Sequence, residues 1–270
     1  MRQRRKATTY TTVEGKFHVA LSYAPEMEDR NRSRTYSGIK LLNPNANIKY
    51  TDTHYELLQS SDRKISIVDV MNLQRNRFEH LPEFKPSDKA PSVTYNARGR
   101  YAITDLKDRA VYKYPLGNEY VLEGHIYQLS DKLPQNTNSV LWLATGLTRS
   151  APYLPYYGNI TDTYSAYKNS QSTKYDENSW YWVAANIDKM AFDYPDLFGN
   201  SVLEKWQAME KTFIEEQAEL NKLPEVSAEK ATETSMARAE KVFKEMKALE
   251  AEMTEKITEK TGKAPIKAGE

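Results

Sequence analysis

The sequence contains no cysteine among its 270 residues. Disulfide bonds, thiolate metal sites and a thiol nucleophile are therefore excluded from this chain. Proteins of the reducing cytoplasm do without disulfides, so the composition favours a cytoplasmic location.

Long apolar segments are also missing. The longest unbroken apolar run is six residues, at positions 180–185, whereas a helix that spans a bilayer needs about 20. Mean hydropathy is low, at −0.76. No apolar stretch follows the basic residues 1–6, so a secretory signal is not predicted. We expect no membrane partner.

An excess of charge of one sign is absent as well. The chain has 38 Lys and Arg against 37 Asp and Glu, for a formal net charge of +1. Proteins that bind nucleic acid usually show a clear basic excess or a basic face. We therefore predict no nucleic-acid partner, and we interpret the basic run at residues 2–6 as a solvated chain start.

Metal and phosphate motifs are scarce. The four histidines, at positions 18, 54, 80 and 125, stand at no spacing typical of a metal site. The ten glycines include no glycine-rich loop of the kind that holds phosphate. The sequence predicts neither a metal nor a cofactor.

Aromatic residues divide the chain. All 19 tyrosines precede residue 200, whereas residues 225–270 are rich in Ala, Glu and Lys. We predict a basic and polar segment over 1–16, a packed domain over 17–222 and a charged, solvated helical tail over 223–270. The tail carries one apolar stripe, which packs on its own domain or, as the weaker alternative, on a partner helix; the stripe comprises Val242, Met246, Leu249, Met253 and Ile257.

Hydrophobic periodicity predicts an α+β protein. Residues 119–129 and 139–145 should pair as an antiparallel hairpin with a long loop. A helix over 66–81 should begin at Ser66, with Asp69 as its reciprocal capping partner, and end at Pro82. The other predicted elements are a strand over 16–24, a loop over 26–34, an ordered loop over 150–168, a helix from about 176–179 to Pro195 and a helix over 201–220.

No catalytic motif is visible in the residues themselves. The Gly-x-Ser-x-Gly elbow of serine hydrolases is absent. The threonine-rich residues 8–16 would serve as an N-terminal nucleophile only after cleavage of the chain, and a β-rich segment is the better interpretation.

Six blocks of sequence, in order, resemble the dipeptidase-A and secernin family of N-terminal-nucleophile (Ntn) cysteine hydrolases. The most specific are APYLPYYGNITDT at 151–163 and YDENSWYW at 175–182. The others are RTYSGIKLLNP at 34–44, KISIVDVM at 64–71, EGHIYQ at 123–128 and SVLWLATG at 139–146.

The resemblance implies a fold and an activity. The fold is a partial four-layer αββα Ntn-hydrolase sandwich, here with a C-terminal helical tail. The activity is hydrolysis of dipeptides without a cofactor. In the family, a processed N-terminal cysteine attacks the scissile carbonyl while its own α-amine accepts the proton, and water then releases the acyl-enzyme.

This sequence departs from the family at the nucleophile. The matching blocks belong to the later part of the family's chain, and the cysteine lies in the earlier part. We therefore expect the chain alone to be inactive, as a truncated product, half of a split enzyme or an inactive relative. It should need a complementary N-terminal segment, or self-associate through uncovered strand edges and apolar faces. The alternative is a non-catalytic structural or interaction module that uses the charged tail.

The resemblance and the residue pattern together suggest site residues. Arg34 is the catalytic candidate, by analogy with an arginine that follows a comparable strand beside the nucleophile, and Arg32 is its rival. His125 and Glu123 stand two apart on one strand face and are predicted to bind substrate. Tyr156 is predicted to border the cleft. For all of these residues a structural role is the alternative.

Overall fold

A computed structural model describes residues 10–23, 28–52, 54–84, 93–96, 100–103, 112–118, 121–137, 139–169 and 173–270. The architecture is α+β, as predicted. Two small antiparallel hairpins accompany a three-stranded sheet. The strands are β1 Thr12–Val13, β2 Lys16–Phe17, β3 Val93–Asn96, β4 Arg100–Ile103, β5 Glu123–Leu129, β6 Ser139–Thr145 and β7 Leu154–Tyr157. The helices are α1 Val19–Tyr23, α2 Asp29–Leu42, α3 Ile67–Arg75, α4 Trp180–Asp193, α5 Pro195–Phe198, α6 Ser201–Leu220 and α7 Ala228–Thr261.

The three-stranded sheet has the order β5-β6-β7, and both pairs are antiparallel. The predicted hairpin is thereby confirmed, with Glu123 opposite Thr145 and Leu129 opposite Ser139. The predicted ordered loop contains β7, which the sequence did not reveal because its four residues are buried on both faces and show no alternation.

One hydrophobic core joins the sheet to the C-terminal helices. Val140, Trp142 and Ala144 of β6 are buried in it. One face of α4, one face of α6 and the apolar stripe of α7 are buried in the same core. Helix α7 packs against α4 and β7. A single helix spans Ala228–Thr261. Its apolar stripe packs on the chain's own core, so the preferred interpretation of the stripe is confirmed, while the opposite face is charged and exposed.

A local capping motif starts α3. Asp69 N–H donates to Ser66 Oγ at 3.2 Å, and Ser66 N–H donates to Asp69 Oδ2 at 2.7 Å, so the predicted capping box is confirmed. Hydrogen bonds from the Ser66 hydroxyl and N–H and from Arg63 lower the pKa of Asp69 to about 2. The ionised cap therefore stabilises the fold above the ordinary aspartate pKa, and that contribution is lost as pH falls toward 2.

The helix ends earlier than predicted, at Arg75 rather than before Pro82. Asn76 is extended at the C-cap, and Phe78 adopts a left-handed φ of 70°. Asn76 Oδ1 accepts the Phe78 N–H at 3.0 Å, which holds this turn and buries Phe78 against Leu81 and Phe84. The packing of the Phe78 ring in the folded structure sets the end of α3, and the helix propensity of the local sequence does not indicate this end.

The strand over 16–24 and the loop over 26–34 were wrong predictions. Residues 24–27 lie outside the described residues; among the described ones, only Lys16–Phe17 is a strand, Val19–Tyr23 is helical, and α2 begins at Asp29. The buried face of α2 is made by small polar residues rather than apolar ones. Ser33 Oγ donates to the Tyr114 carbonyl at 3.1 Å, and Ser37 Oγ donates to Asn76 Oδ1 at 3.2 Å. Apolar periodicity could not reveal such a face.

Two glycines near α3 give opposite expectations for the same substitution. A Cβ at Gly117 would lie 2.6 Å from the Arg75 carbonyl oxygen, which is backbone, whereas a Cβ at Gly38 in α2 would meet only side chains at 3.7 Å. Gly117→Ala should therefore lower the free energy of unfolding by about 1–3 kcal/mol. Gly38→Ala should raise it by about 0.5–1 kcal/mol. Urea titrations of both variants measure the two changes, and equal shifts would contradict the packing described.

Candidate functional site

One face of the three-stranded sheet carries the predicted substrate-binding residues. We call it the outer face; it comprises Glu123, His125, Tyr127 and Leu129 of β5, Ser139, Leu141, Leu143 and Thr145 of β6, and Leu154 and Tyr156 of β7. Residues directly opposite each other on neighbouring strands share a face, which is why these side chains lie together.

Glu123 and His125 form a pair on this face. Glu123 Oε1 lies 2.9 Å from His125 Nδ1, and about half of each side chain is exposed. The Gln74 side-chain amide donates to the His125 carbonyl at 3.1 Å, which ties β5 to α3. A carboxylate at this distance orients the imidazole ring and leaves Nε2 for an outside partner.

Apolar side chains surround this pair in an exposed position. Tyr127 is 63% and Leu129 71% exposed, and Leu122 just before β5 is 58% exposed. Leu141 and Leu143 of β6 are half-buried. Several neighbouring large apolar residues on a sheet face are typical of a surface that another layer covers.

Tyr156 lies at the opposite, covered end of the outer face. Its hydroxyl is 2.7 Å from the Tyr167 hydroxyl, and its ring is almost completely buried. Burial raises the pKa of Tyr156 and that of Tyr167, so both hydroxyls stay protonated. In this chain Tyr156 packs against its neighbours, and it supports Tyr167 rather than facing solvent.

An aromatic cavity of about 300 Å³ adjoins the outer face, with a lining that comprises Thr145, Ala166, Tyr167, Ser179, Trp180 and Tyr181. Thr145 is the cross-strand partner of Glu123. The cavity therefore begins one strand away from the Glu123–His125 pair.

Arg34 and Arg32 stand apart from this group of residues. Both lie in α2, not after a strand as the analogy supposed. Arg34 Nε donates to the Arg30 carbonyl at 3.0 Å, and Nη2 donates to Asn31 Oδ1 at 2.7 Å. Arg32 Nη1 lies 3.5 Å from Asp29 Oδ1. The structure brings His125, Glu123 and Tyr156 to one sheet face, and it places the two arginines on a helix that packs against α3.

A comparison with models of protein families shows to which family the chain belongs. The model of peptidase family C69 matches residues 4–208. The chain belongs to peptidase family C69. The resemblance to the dipeptidase family that the sequence blocks indicated is thereby confirmed.

Curated relatives of this C69 chain carry dipeptidase names. It is 44% identical over 269 residues to the probable dipeptidase B of Streptococcus pyogenes serotype M1, a match that covers 96% of this chain and 52% of that protein. It is 26% identical over 123 residues to dipeptidase A of Lactobacillus helveticus, covering 46% of this chain and 22% of that protein. The chain spans about half the length of the Streptococcus relatives it matches.

Sequence reasoning about this C69 chain missed a buried ion pair. The Arg75 guanidinium bonds both carboxylate oxygens of Glu210, with 2.7 Å from Nη1 to Oε2, and both side chains are almost fully buried. Arg75 Nε also donates to the Thr148 carbonyl at 2.7 Å, and Tyr153 N–H donates to Glu210 Oε1 at 2.7 Å. No local signal marks it, because its partners stand 135 positions apart.

Metal ligands do not gather in the described part of this C69 chain: no group of three or more His, Asp or Glu side chains there could hold an ion. His18 and His54, which the sequence places far apart, contact edge to face at 5.9 Å between ring centroids.

None of the described helices combines the length and the apolar character that a bilayer span requires.

Proposed function

We propose that this chain is part of a dipeptide-hydrolysing enzyme of family C69. The observation that carries the proposal is the match over nearly the whole chain to proteins named as dipeptidases. Dipeptides are the proposed substrates. A cytoplasmic location belongs to the same proposal, on the strength of the cysteine-free composition.

The fold proposed for the complete enzyme is the four-layer αββα sandwich of Ntn hydrolases. The exposed apolar side chains of Leu122, Tyr127 and Leu129 support it, since a second sheet laid on the outer face would bury them. Relatives about twice as long contain enough further chain to supply that layer. This chain would then lack activity alone, because it has no cysteine to attack the scissile carbonyl.

In this proposal the Glu123–His125 pair contacts the substrate. Glu123 accepts from Nδ1–H of His125 and fixes the imidazole tautomer, so Nε2 is an acceptor for the substrate's ammonium or amide N–H. Burial of the outer face under a second layer would remove water and strengthen that hydrogen bond. The proposed catalytic role of Arg34 requires the nucleophile-bearing portion to reach α2, where the guanidinium bonds Asn31 at an exposed position.

Complementation tests the proposal. The purified chain would be assayed for dipeptide hydrolysis alone and after mixing with the portion of the Streptococcus pyogenes relative that it does not match. We expect no turnover and an associated state by light scattering for the chain alone. The mixture should be active, and a thiol reagent should abolish that activity.

The His125→Asn variant sharpens this test. It should lower kcat/KM of the mixture by about 10- to 100-fold, the size of a hydrogen bond to a charged group. Lys222→Gln changes an exposed side chain at the end of α6 and serves as the matched control, with activity unchanged. Robust turnover by the chain alone, or an inactive mixture of two folded parts, would overturn the proposal.

The alternative function is a structural or interaction module built on the charged tail. The structure buries the apolar stripe of α7 in the core of this chain. Such a module would therefore bind through the exposed charged face of α7, where Lys244 and Glu240 pair with each other.

A further inference from the structure

The aromatic cavity beside the outer face has rigid walls. Trp180 stacks on Tyr167 at 4.5 Å between ring centroids and on Phe243 at 5.8 Å. Its Nε1–H donates to the Thr145 carbonyl at 3.2 Å, and Tyr167 is held in turn by the Tyr156 hydroxyl at 2.7 Å. Each ring is thus fixed by a second contact, so the cavity does not close by simple rotation of a side chain. Preformed cavities of this kind are typical of small-molecule sites.

The polarity of the cavity is unusual in one respect. Ser179, at the N-cap of α4, is fully buried, and its Oγ has no hydrogen-bond partner among the described residues. A serine at an N-cap normally accepts a hydrogen bond from the first turn of its helix, but this side chain makes no capping bond. A buried hydroxyl left unpaired is costly, and it calls for a partner that the described residues do not supply.

The chemistry of the lining defines what would fit. Aromatic rings and the methyl groups of Ala166 and Thr145 provide apolar contact, and Ser179 provides a hydroxyl that has no partner among the described residues. No charged residue is among the described residues that line the cavity. A charged side chain would enter without a counter-charge and pay the full cost of desolvation. An apolar or aromatic side chain loses nothing there and gains dispersion contact.

We propose that the aromatic cavity receives an apolar or aromatic side chain of the dipeptide substrate, with the Ser179 hydroxyl bonding one polar group of the bound molecule. This inference rests on the proposed dipeptidase function. Its geometric basis is that Thr145 lines the cavity and pairs directly with Glu123, so a dipeptide backbone at the Glu123–His125 pair would have one side chain within reach of the cavity.

Binding of a fluorinated probe, 4-fluorophenylalanyl-glycine, tests the cavity without turnover. Fluorine NMR titration of the purified chain should show binding, and aspartyl-glycine should not displace the probe. Ala166→Leu fills the cavity and should weaken probe binding at least tenfold. Ala191→Leu makes the same change in a separate cavity of about 420 Å³ beside Arg149 and should leave binding unchanged. Weakening by Ala191→Leu and not by Ala166→Leu would overturn the assignment.

The Ser179→Ala variant separates binding from folding. If the hydroxyl serves the ligand, probe affinity should fall by about five- to tenfold. The thermal midpoint should stay unchanged or rise, because an unpaired buried hydroxyl has been removed. A lower midpoint with unaltered probe affinity would show that Ser179 is a helix cap and would overturn its assigned role.

The cavity and the proposed function can fail separately. Probe binding by the chain, with an inactive complemented mixture, would remove the dipeptidase function and leave the cavity as a binding site. An active mixture that hydrolyses phenylalanyl-glycine and glycyl-glycine equally well, with no probe binding, would remove the cavity inference and leave the function.

Discussion

Replacing Glu210 with alanine should lower the free energy of unfolding by about 3–5 kcal/mol, the range seen when one partner of a buried ion pair is removed. Arg75 would then keep a guanidinium that is almost fully buried without its counter-charge. The Tyr153 N–H would lose its acceptor as well. Urea unfolding followed by tryptophan fluorescence measures the change.

A substitution on the same helix provides the control. Glu219 of α6 pairs with Lys222, and both side chains are mostly exposed, at 71% and 67%. Glu219→Ala should therefore cost about 0–1 kcal/mol. A Glu210→Ala variant within 1 kcal/mol of the parent, by the same measurement, would show that the pair does not hold α3 and α6 together.

The double variant Arg75→Met with Glu210→Leu adds a further test. Replacing both charges by apolar groups removes the unpaired charge, so the double variant should be more stable than Glu210→Ala alone. It should remain less stable than the parent, because the Thr148 and Ala151 carbonyls lose the donor that Arg75 supplied. The losses of unfolding free energy caused by Arg75→Met alone and by Glu210→Leu alone should not add up to the loss in the double variant. If they did add up, the two residues would not be coupled.

The sequence predicts elements whose signals are local. The capping box of α3 needs only Ser66 and Asp69, three positions apart. The hairpin of β5 and β6 follows from two clear strand segments, the second of them apolar on both faces, with a loop rich in turn residues between them. The start of α2 escaped prediction because its buried face consists of serines. Their burial depends on partners at Tyr114 and Asn76, which are distant in the chain.

The candidate site likewise has one part that the sequence could predict and another that it could not. Glu123 and His125 could be paired from sequence, because residues two apart on a strand share a face. Burial of Tyr156 depends on Tyr167, and the aromatic cavity is assembled from three separate segments of the chain. Neither has a periodic signature, so only the folded structure reveals them.

The stripe of α7 leads to the second large prediction. Met246 is fully buried in the core shared by the sheet, α4 and α6. Met246→Ala should lower the free energy of unfolding by about 2–5 kcal/mol, through lost apolar contact and the cavity left behind. Urea unfolding should show one cooperative transition, displaced as a whole, because the helix and the sheet share that core.

Met236 lies on the same helix but is only partly buried, so Met236→Ala is the matched control. Its expected cost is about 1 kcal/mol or less. Two separate transitions, of which Met246→Ala moves only the first, would show that residues 223–270 fold as a tail of their own. A single displaced transition would instead make α7 part of the unit that holds the outer face and the aromatic cavity in place, so damage to the helix should also weaken probe binding.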